Sequence, residues 1–197
     1  MFDSIFHLLS DSPQAYFILL GVCAGDAVLP ALPSESAVIL AGVLSVVGDL
    51  SLPWVLAVAA LGAFIGDNTS YAIGRFIGHP VRRRFFDGER GRRAIAWARE
   101  QLRRRGGTLI IVARFIPGGR TATTFTCGLT QFSWARFAGF AAIAAVLWAL
   151  YGGLLGYFGG RMFHDRPWLA LLVAFAIAGG VTLVVESVRR FRERASG

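Results

Sequence analysis

The chain contains no lysine, so its whole positive charge rests on twenty arginines. Acidic residues number only 12, and the formal net charge is +8. In a soluble protein that balance would point to nucleic acid. Here ten arginines lie between Arg82 and Arg105 and four more between Arg189 and Arg194. Both groups flank apolar runs. The excess of positive charge on the cytoplasmic side of membrane proteins therefore explains them, with anionic head groups as neighbours, and no nucleic-acid partner is expected. Cysteine is scarcer still. Cys23 and Cys127 both fall in apolar segments, which excludes a disulfide framework and leaves no metal-ligand spacing. The three histidines, His7, His79 and His164, sit near the ends of apolar runs, and no motif joins them to a metal. Neither a metal nor a cofactor is expected. Chemistry on lipid phosphates would want a placed nucleophile, a histidine pair or a metal cluster, and none is present, so the chain does not read as an enzyme. The first residues lack a basic region and a small-residue cleavage site and carry Asp3 and Asp11, unlike a secretory signal.

What is abundant is apolar sequence. The chain is 55% hydrophobic with a mean hydropathy of +0.57, and its 24 glycines fall mostly within apolar segments, where close helix packing in lipid favours small residues. This reads as an all-α polytopic membrane protein forming a single domain over 1–197. Residues 1–11 suit a short interfacial helix. Two short apolar arms, 13–25 and 36–47, flank a break holding Asp26, Pro30, Pro33 and Glu35. Neither arm reaches the roughly 20 residues of a spanning helix, so 13–47 reads as a re-entrant hairpin with a polar tip. A single span over 13–33 kinked at its prolines is the alternative. Residues 52–77 form a full span with Pro53 in its first turn and Asp67 inside it. Residues 80–107 read as an amphipathic surface helix with Ala94, Ile95, Trp97, Ala98 and Leu102 on one face, ended by Gly106-Gly107. Residues 134–160 and 167–188 are further spans.

Within 108–130 lies ARFIPGGRTATTFTCGL, with Arg114 and Arg120 around a Pro-Gly-Gly break. If this segment crossed the membrane, the arginine-rich tail would end outside, against the charge rule. If it enters from the cytoplasm and turns back at Pro117-Gly118-Gly119, both arginine clusters and the C-terminus lie inside. The order of short helix, broken hairpin, polar turn and span then occurs twice, over 1–78 and 81–160, in opposite topology. The expected fold is thus two opposed re-entrant hairpins in an inverted repeat with about three full spans, an arrangement typical of transporters.

Asp26, Glu35, Asp67, Arg114 and Arg120 all sit at apparent membrane depth, where each alone would cost about 2.5–3.5 kcal/mol. Mutual pairing around a wet cavity answers that cost, whether the cluster is structural or functional. Arg114 and Arg120 can grip a phosphate, Gly118 and Gly119 allow close backbone approach, and Thr121, Thr123 and Thr124 add hydroxyl donors. Asp26, Glu35 and Asp67 are the acids available for proton exchange.

From about Pro13 to Val188 the chain resembles the DedA family, also described by its VTT (SNARE-associated) domain. The resemblance is carried by Asp26…Pro30…Pro33-Ser34-Glu35, by Gly66-Asp67…Tyr71…Gly74-Arg75…Gly78, and by Gly106…Arg114-Phe115…Pro117-Gly118…Arg120-Thr121. It implies a multi-pass bacterial inner-membrane protein with opposed re-entrant hairpins. It also implies a role in moving lipids such as undecaprenyl phosphate or phospholipids between leaflets, with links to proton-motive force. The family's essential acids and arginines fall on Asp26, Glu35, Arg114 and Arg120 of this chain. The expected function is a lipid flippase or scramblase, with lipid phosphate head groups and protons as partners. A homo-oligomer is compatible with this reading. A proton-coupled transporter of small cations or drugs is the competing expectation, and a non-transporting scaffold the plainest one.

Overall fold

The computed structural model describes residues 13–27, 33–48, 50–85, 88–116 and 118–162, leaving aside the side chains at 78–85, 90, 92 and 94. The described residues form six helices and no strand: α1 (Pro13–Gly25), α2 (Ser34–Val47), α3 (Leu52–Phe85), α4 (Glu89–Ala113), α5 (Gly119–Leu129) and α6 (Trp134–Met162). The expected helix over 1–11, the final span over 167–188, the tip at 28–32 and Pro117 lie outside the described residues.

Helix length sorts these elements. At about 1.5 Å per residue, α1 and α2, with 13 and 14 residues, reach only about 20 Å, short of a hydrocarbon layer of about 30 Å. The apolar part of α3, Leu52–Ile77, has 26 residues, and α6 has 29, so both are long and apolar enough to cross it. On α6 the exposed side chains Ile143, Val146, Leu147 and Leu150 are apolar, as are Leu61 and Ile65 on α3, an exterior that suits lipid rather than water.

The inward stripe of α3 runs at four-residue spacing through Val55, Ala59, Ala63, Asp67 and Tyr71, every one buried. Ala15, Leu19 and Cys23 of α1 present the same spacing, and α1 packs along α3. The second arm of each short pair packs elsewhere: α2 lies along α6, and α5 along α3. Glycines set both approaches. A methyl group on Gly42 would overlap the Gly153 carbonyl oxygen, and one on Gly156 the Ile39 carbonyl. On the other side, a methyl on Gly128 would overlap the Tyr71 carbonyl and one on Gly74 that of Phe125. Each arm therefore meets its partner span backbone to backbone, the packing mode that small residues permit in a membrane. The rigid joint between α5 and α6 is held by Tyr71 of α3. Its hydroxyl donates to the Phe132 carbonyl, and its ring stacks on Phe137 at 4.6 Å.

The arginine-rich helix breaks where the glycine pair begins: Arg105 is non-helical (φ −136°, ψ 24°), and a second helical stretch of α4 runs on to Ala113, with Phe132 packed onto Gly106 and Phe140 onto Gly107. Two expectations are corrected. Residues up to Phe85, assigned by sequence to that surface helix, instead extend α3. Of its expected apolar face, Ile95 and Leu102 are buried, but Trp97 is 67% exposed and turns outward.

The glycine contacts yield a direct check. Gly128→Ala and Gly156→Ala force backbone displacement and are expected to cost about 1–3 kcal/mol or more, whereas Gly139→Ala, with nothing within 4 Å of the added methyl, is expected to be neutral. Thermal unfolding of the purified variants in detergent measures the difference.

Candidate functional site

The buried end of this helix pack holds a chain of ionic groups. Asp26 follows the C-terminus of α1, and Arg120 is the second residue of α5. Each stands at the wrong end of its own helix: an anion near a negative C-terminus and a cation near a positive N-terminus. Their pairing relieves both. Arg120 Nη1 donates to Asp26 Oδ2 at 2.9 Å and its Nε to Asp67 Oδ1 at 2.7 Å. Its Nη2 reaches the Ala63 carbonyl at 3.3 Å and the Cys23 carbonyl at 3.5 Å. Arg114 Nη1 donates to the second oxygen of Asp67. Ser34 Oγ, at the first residue of α2, donates to Asp26 Oδ2 at 2.6 Å. One network thus ties α1, α2, α3, the turn after α4, and α5 together.

The network contains two arginines and two aspartates, so it is formally neutral. Arg114, Asp67 and Ser34 are at most 5% exposed, while the Asp26 side chain retains 18%. Arg114 is the anomaly. Its guanidinium lies 5.0 Å from the centroid of the Trp148 ring, yet its Nε and Nη2 have no hydrogen-bond partner among the described residues. Buried donors are normally satisfied, and an orphaned pair on a cation is costly. Gly118 accounts for the reversal between the two arginines. With φ at 70° it occupies the left-handed region, which glycine adopts freely, and α5 starts at the next residue.

The sequence-expected residues divide. Asp26, Asp67, Arg114 and Arg120 come together. Glu35 does not join them: it is exposed and has no ion-pair partner among the described residues. Successive residues on a helix point about 100° apart, so with Ser34 turned in toward Asp26 its neighbour Glu35 turns out. Of the three acids expected to pair with the arginines, Asp26 and Asp67 do. Thr121 is displaced by the same rule. Arg120 faces inward, so the hydroxyl beside it belongs to Thr124, one turn on, which is buried and bonded to Ser70 Oγ at 2.8 Å. Thr121 contributes only its carbonyl, to Thr124 Oγ1 at 3.1 Å. Gly118 is exposed and Gly119 half-buried at the turn. Sequence reasoning gave no role to Ser34 or Trp148. Ser34 had a signal, a small hydroxyl at a helix start in the polar break, whereas Trp148 sits in a uniformly apolar run and had none. Among the described residues no group of His, Cys, Asp or Glu could hold a metal ion.

Residues 32–158, most of the described chain, match the VTT domain family model. The chain is 31% identical over 192 residues to Protein DedA of Escherichia coli K12, covering 91% of this chain and 83% of that one. It is 32% identical over 156 residues to the inner membrane protein YohD of the same organism, covering 75% and 80%. An uncharacterized membrane protein of Mycobacterium leprae is 33% identical over 138 residues, covering 68% and 60%. No solved structure matches the chain.

The network ranks its members for mutation. Asp67→Asn leaves buried Arg114 without a counter-ion and Arg120 with Asp26 alone, and is expected to cost about 3–5 kcal/mol, while Glu35→Gln stays within about 0.5 kcal/mol. Pairing Asp67→Asn with Arg114→Gln is expected to recover part of the loss. A double-mutant cycle on unfolding in detergent reads all three, and a Glu35→Gln penalty as large as that of Asp67→Asn would contradict the assigned pairing.

Proposed function

The chain belongs to the VTT-domain family of membrane proteins, the family of Protein DedA, and on that footing we propose that it moves a phosphate-bearing lipid between membrane leaflets. The observation that carries the reading is Arg114: a nearly buried guanidinium with two unpartnered donor nitrogens beside a glycine turn. A planar fork of that kind matches two oxygens of a phosphate group, which would complete the bonds that the protein leaves open. α5 starts at Gly119, a few residues after Arg114, and its N-terminus carries a partial positive charge that favours an anion. Undecaprenyl phosphate and phospholipids are the substrate class.

The topology follows from the same premise. α1 with α2, and α4 with α5, act as two re-entrant hairpins of opposite direction, and α3 and α6 as full spans. The reciprocal glycine contacts, α2 on α6 and α5 on α3, support an inverted repeat, since each half would then make the same contact with the other. With a further span over 167–188, both arginine-rich segments and the C-terminus face the cytoplasm of a bacterial cell.

Proton coupling fits the neutrality of the cluster. An incoming phosphate adds negative charge to two balanced ion pairs, and protonation of Asp26, the aspartate with access to solvent, would offset it. Glu35, exposed beside Ser34, is placed in sequence to relay that proton.

Arg114→Gln is expected to insert and fold yet to lower the rate of fluorescent phospholipid or polyprenyl-phosphate movement in reconstituted vesicles by at least about tenfold. Unchanged lipid movement would overturn the role of Arg114. A flux of small cations without lipid movement would favour the competing cation-transport reading, in which the aspartates bind the solute and the arginines only balance them.

A further inference from the structure

A second basic site lies apart from the ion cluster and shares no residue with it. Where α4 bends at Arg105, a cavity of ≈330 Å³ opens between that helix and the start of α6. Its floor is aromatic. Phe132 packs onto Gly106, with ring carbon Cζ 3.0 Å from where a methyl group would sit, and Phe140 packs onto Gly107 still more tightly. Any side chain at either glycine would fill the space. Its walls carry Arg103, Arg104, Arg105 and Arg136.

These four arginines are not equivalent. Arg103 holds Glu100 through two bonds, Nε at 2.8 Å and Nη2 at 2.7 Å, and Arg104 pairs with the same carboxylate. Their hydrogen bonds push the Glu100 carboxyl down to about 2, so it stays ionised at any physiological pH and keeps those two arginines engaged. Arg105 and Arg136 have no carboxylate partner among the described residues. Arg136 rests over the Phe132 ring, 5.4 Å from its centroid, which fixes the cation at the cavity edge. The cavity thus has four arginines against one glutamate.

Its position indicates the ligand. On the N-terminal side of the bend α4 exposes Glu89, Arg93 and Arg99 beside Trp97; beyond it the exposed residues are uncharged, Thr108, Leu109 (38%) and Val112 (51%). Trp134, 59% exposed at the start of α6, marks the same level, as tryptophan does at membrane interfaces. The cavity lies where α4 passes from a charged to an uncharged exposed face, the pattern of a boundary between head groups and acyl chains.

We propose that this cavity binds the phosphodiester of an anionic membrane lipid, with Arg105 and Arg136 on its oxygens and the glycerol and first acyl carbons against Phe132 and Phe140. The lipid is a resident one, held at the interface and separate from any lipid that is moved. An aromatic floor continuous with an apolar exterior suits a lipid better than a soluble phosphate, which would leave that floor wet. The proposal rests on the chain being a membrane protein and not on lipid transport.

Native mass spectrometry of the detergent-purified protein, titrated with phosphatidylglycerol, phosphatidylcholine and inorganic phosphate, tests it. Saturable phosphatidylglycerol binding is expected, at least about tenfold tighter than phosphatidylcholine. Arg105→Gln with Arg136→Gln is expected to weaken it about tenfold, and Arg136→Gln alone, a change at an exposed side chain, to weaken it measurably without disturbing the fold. Glu100→Gln, which releases Arg103 and Arg104, is expected to tighten it. Arg93→Gln with Arg99→Gln removes the same charge from the same helix away from the cavity and is expected to leave binding unchanged. Equal weakening by the two double variants would reduce the effect to net charge and overturn the site. Displacement of the lipid by millimolar inorganic phosphate would overturn the lipid assignment. Loss of binding in the Asp67→Asn/Arg114→Gln pair would move the lipid to the ion cluster and overturn the proposal as well.

Discussion

The carboxylate of Asp67 is the group on which the arrangement depends. It sits on the buried stripe of α3, in register with Val55, Ala59, Ala63 and Tyr71, where any other helix of this composition would carry an apolar residue. An ionised aspartate at such a position is tolerable only if cations reach it. Both of its oxygens are used: one by Arg120 from the start of α5, the other by Arg114 from the turn before it. That double acceptance brings the two sides of the 113–120 turn onto α3. Arg120 then extends to Asp26, and through Ser34 to α2. The coupled set is therefore less a collection of salt bridges than one hydrogen-bonded unit, whose parts are costly only when separated.

Glycine makes that unit reachable. Arginine side chains have finite length, and two of them converge on one carboxylate only if α5 lies against α3 at backbone distance. Gly74 and Gly128 allow this; Gly42 and Gly156 provide the matching approach of α2 to α6. Close packing between helices and a buried ion network are thus one design. The small residues that replace hydrophobic driving force in a membrane also bring polar groups within bonding range. What the network leaves unfilled is equally informative. Arg114 keeps two buried donors without acceptors among the described residues, the observation on which the proposed anion site rests.

Positive charge in this protein is divided by depth. The buried arginines are matched one for one by aspartates, whereas the arginines around the α4 bend outnumber their single glutamate. Matched charge in the interior and surplus charge at the interface have different physical purposes. The first lowers the cost of burial; surplus charge of the second kind, in any membrane protein, favours anionic head groups within a Debye length of the surface. The bend at Arg105, set by two aromatic rings on two glycines, lies between these regimes.

Much of this was legible in the sequence. The lengths of the apolar runs fix two short arms and two long helices, because helix rise per residue is constant. The α1 boundaries fall where the apolar run does, and the glycine-rich turn between Arg114 and Arg120 lies where helix breakers sit. Five ionisable residues at membrane depth must find partners, and four of them do. Which partner each finds was decided only in three dimensions. Asp26, Glu35 and Asp67 are chemically alike in a linear reading, and only rotation about the helix axis separates them. Ser34 takes the inward direction at the start of α2 and leaves Glu35 outside, while Asp67 falls on the core stripe of α3. The same rotation chooses Thr124 over Thr121 and sets Trp148 beneath Arg114. The break at Arg105 was legible in Gly106-Gly107, whereas the packing of Phe132 and Phe140 onto those glycines, from 25 or more residues away, was not. Periodicity and length act along the chain and can be read from it. The pairing of charges depends on which faces meet, and that is a property of the packed helices alone.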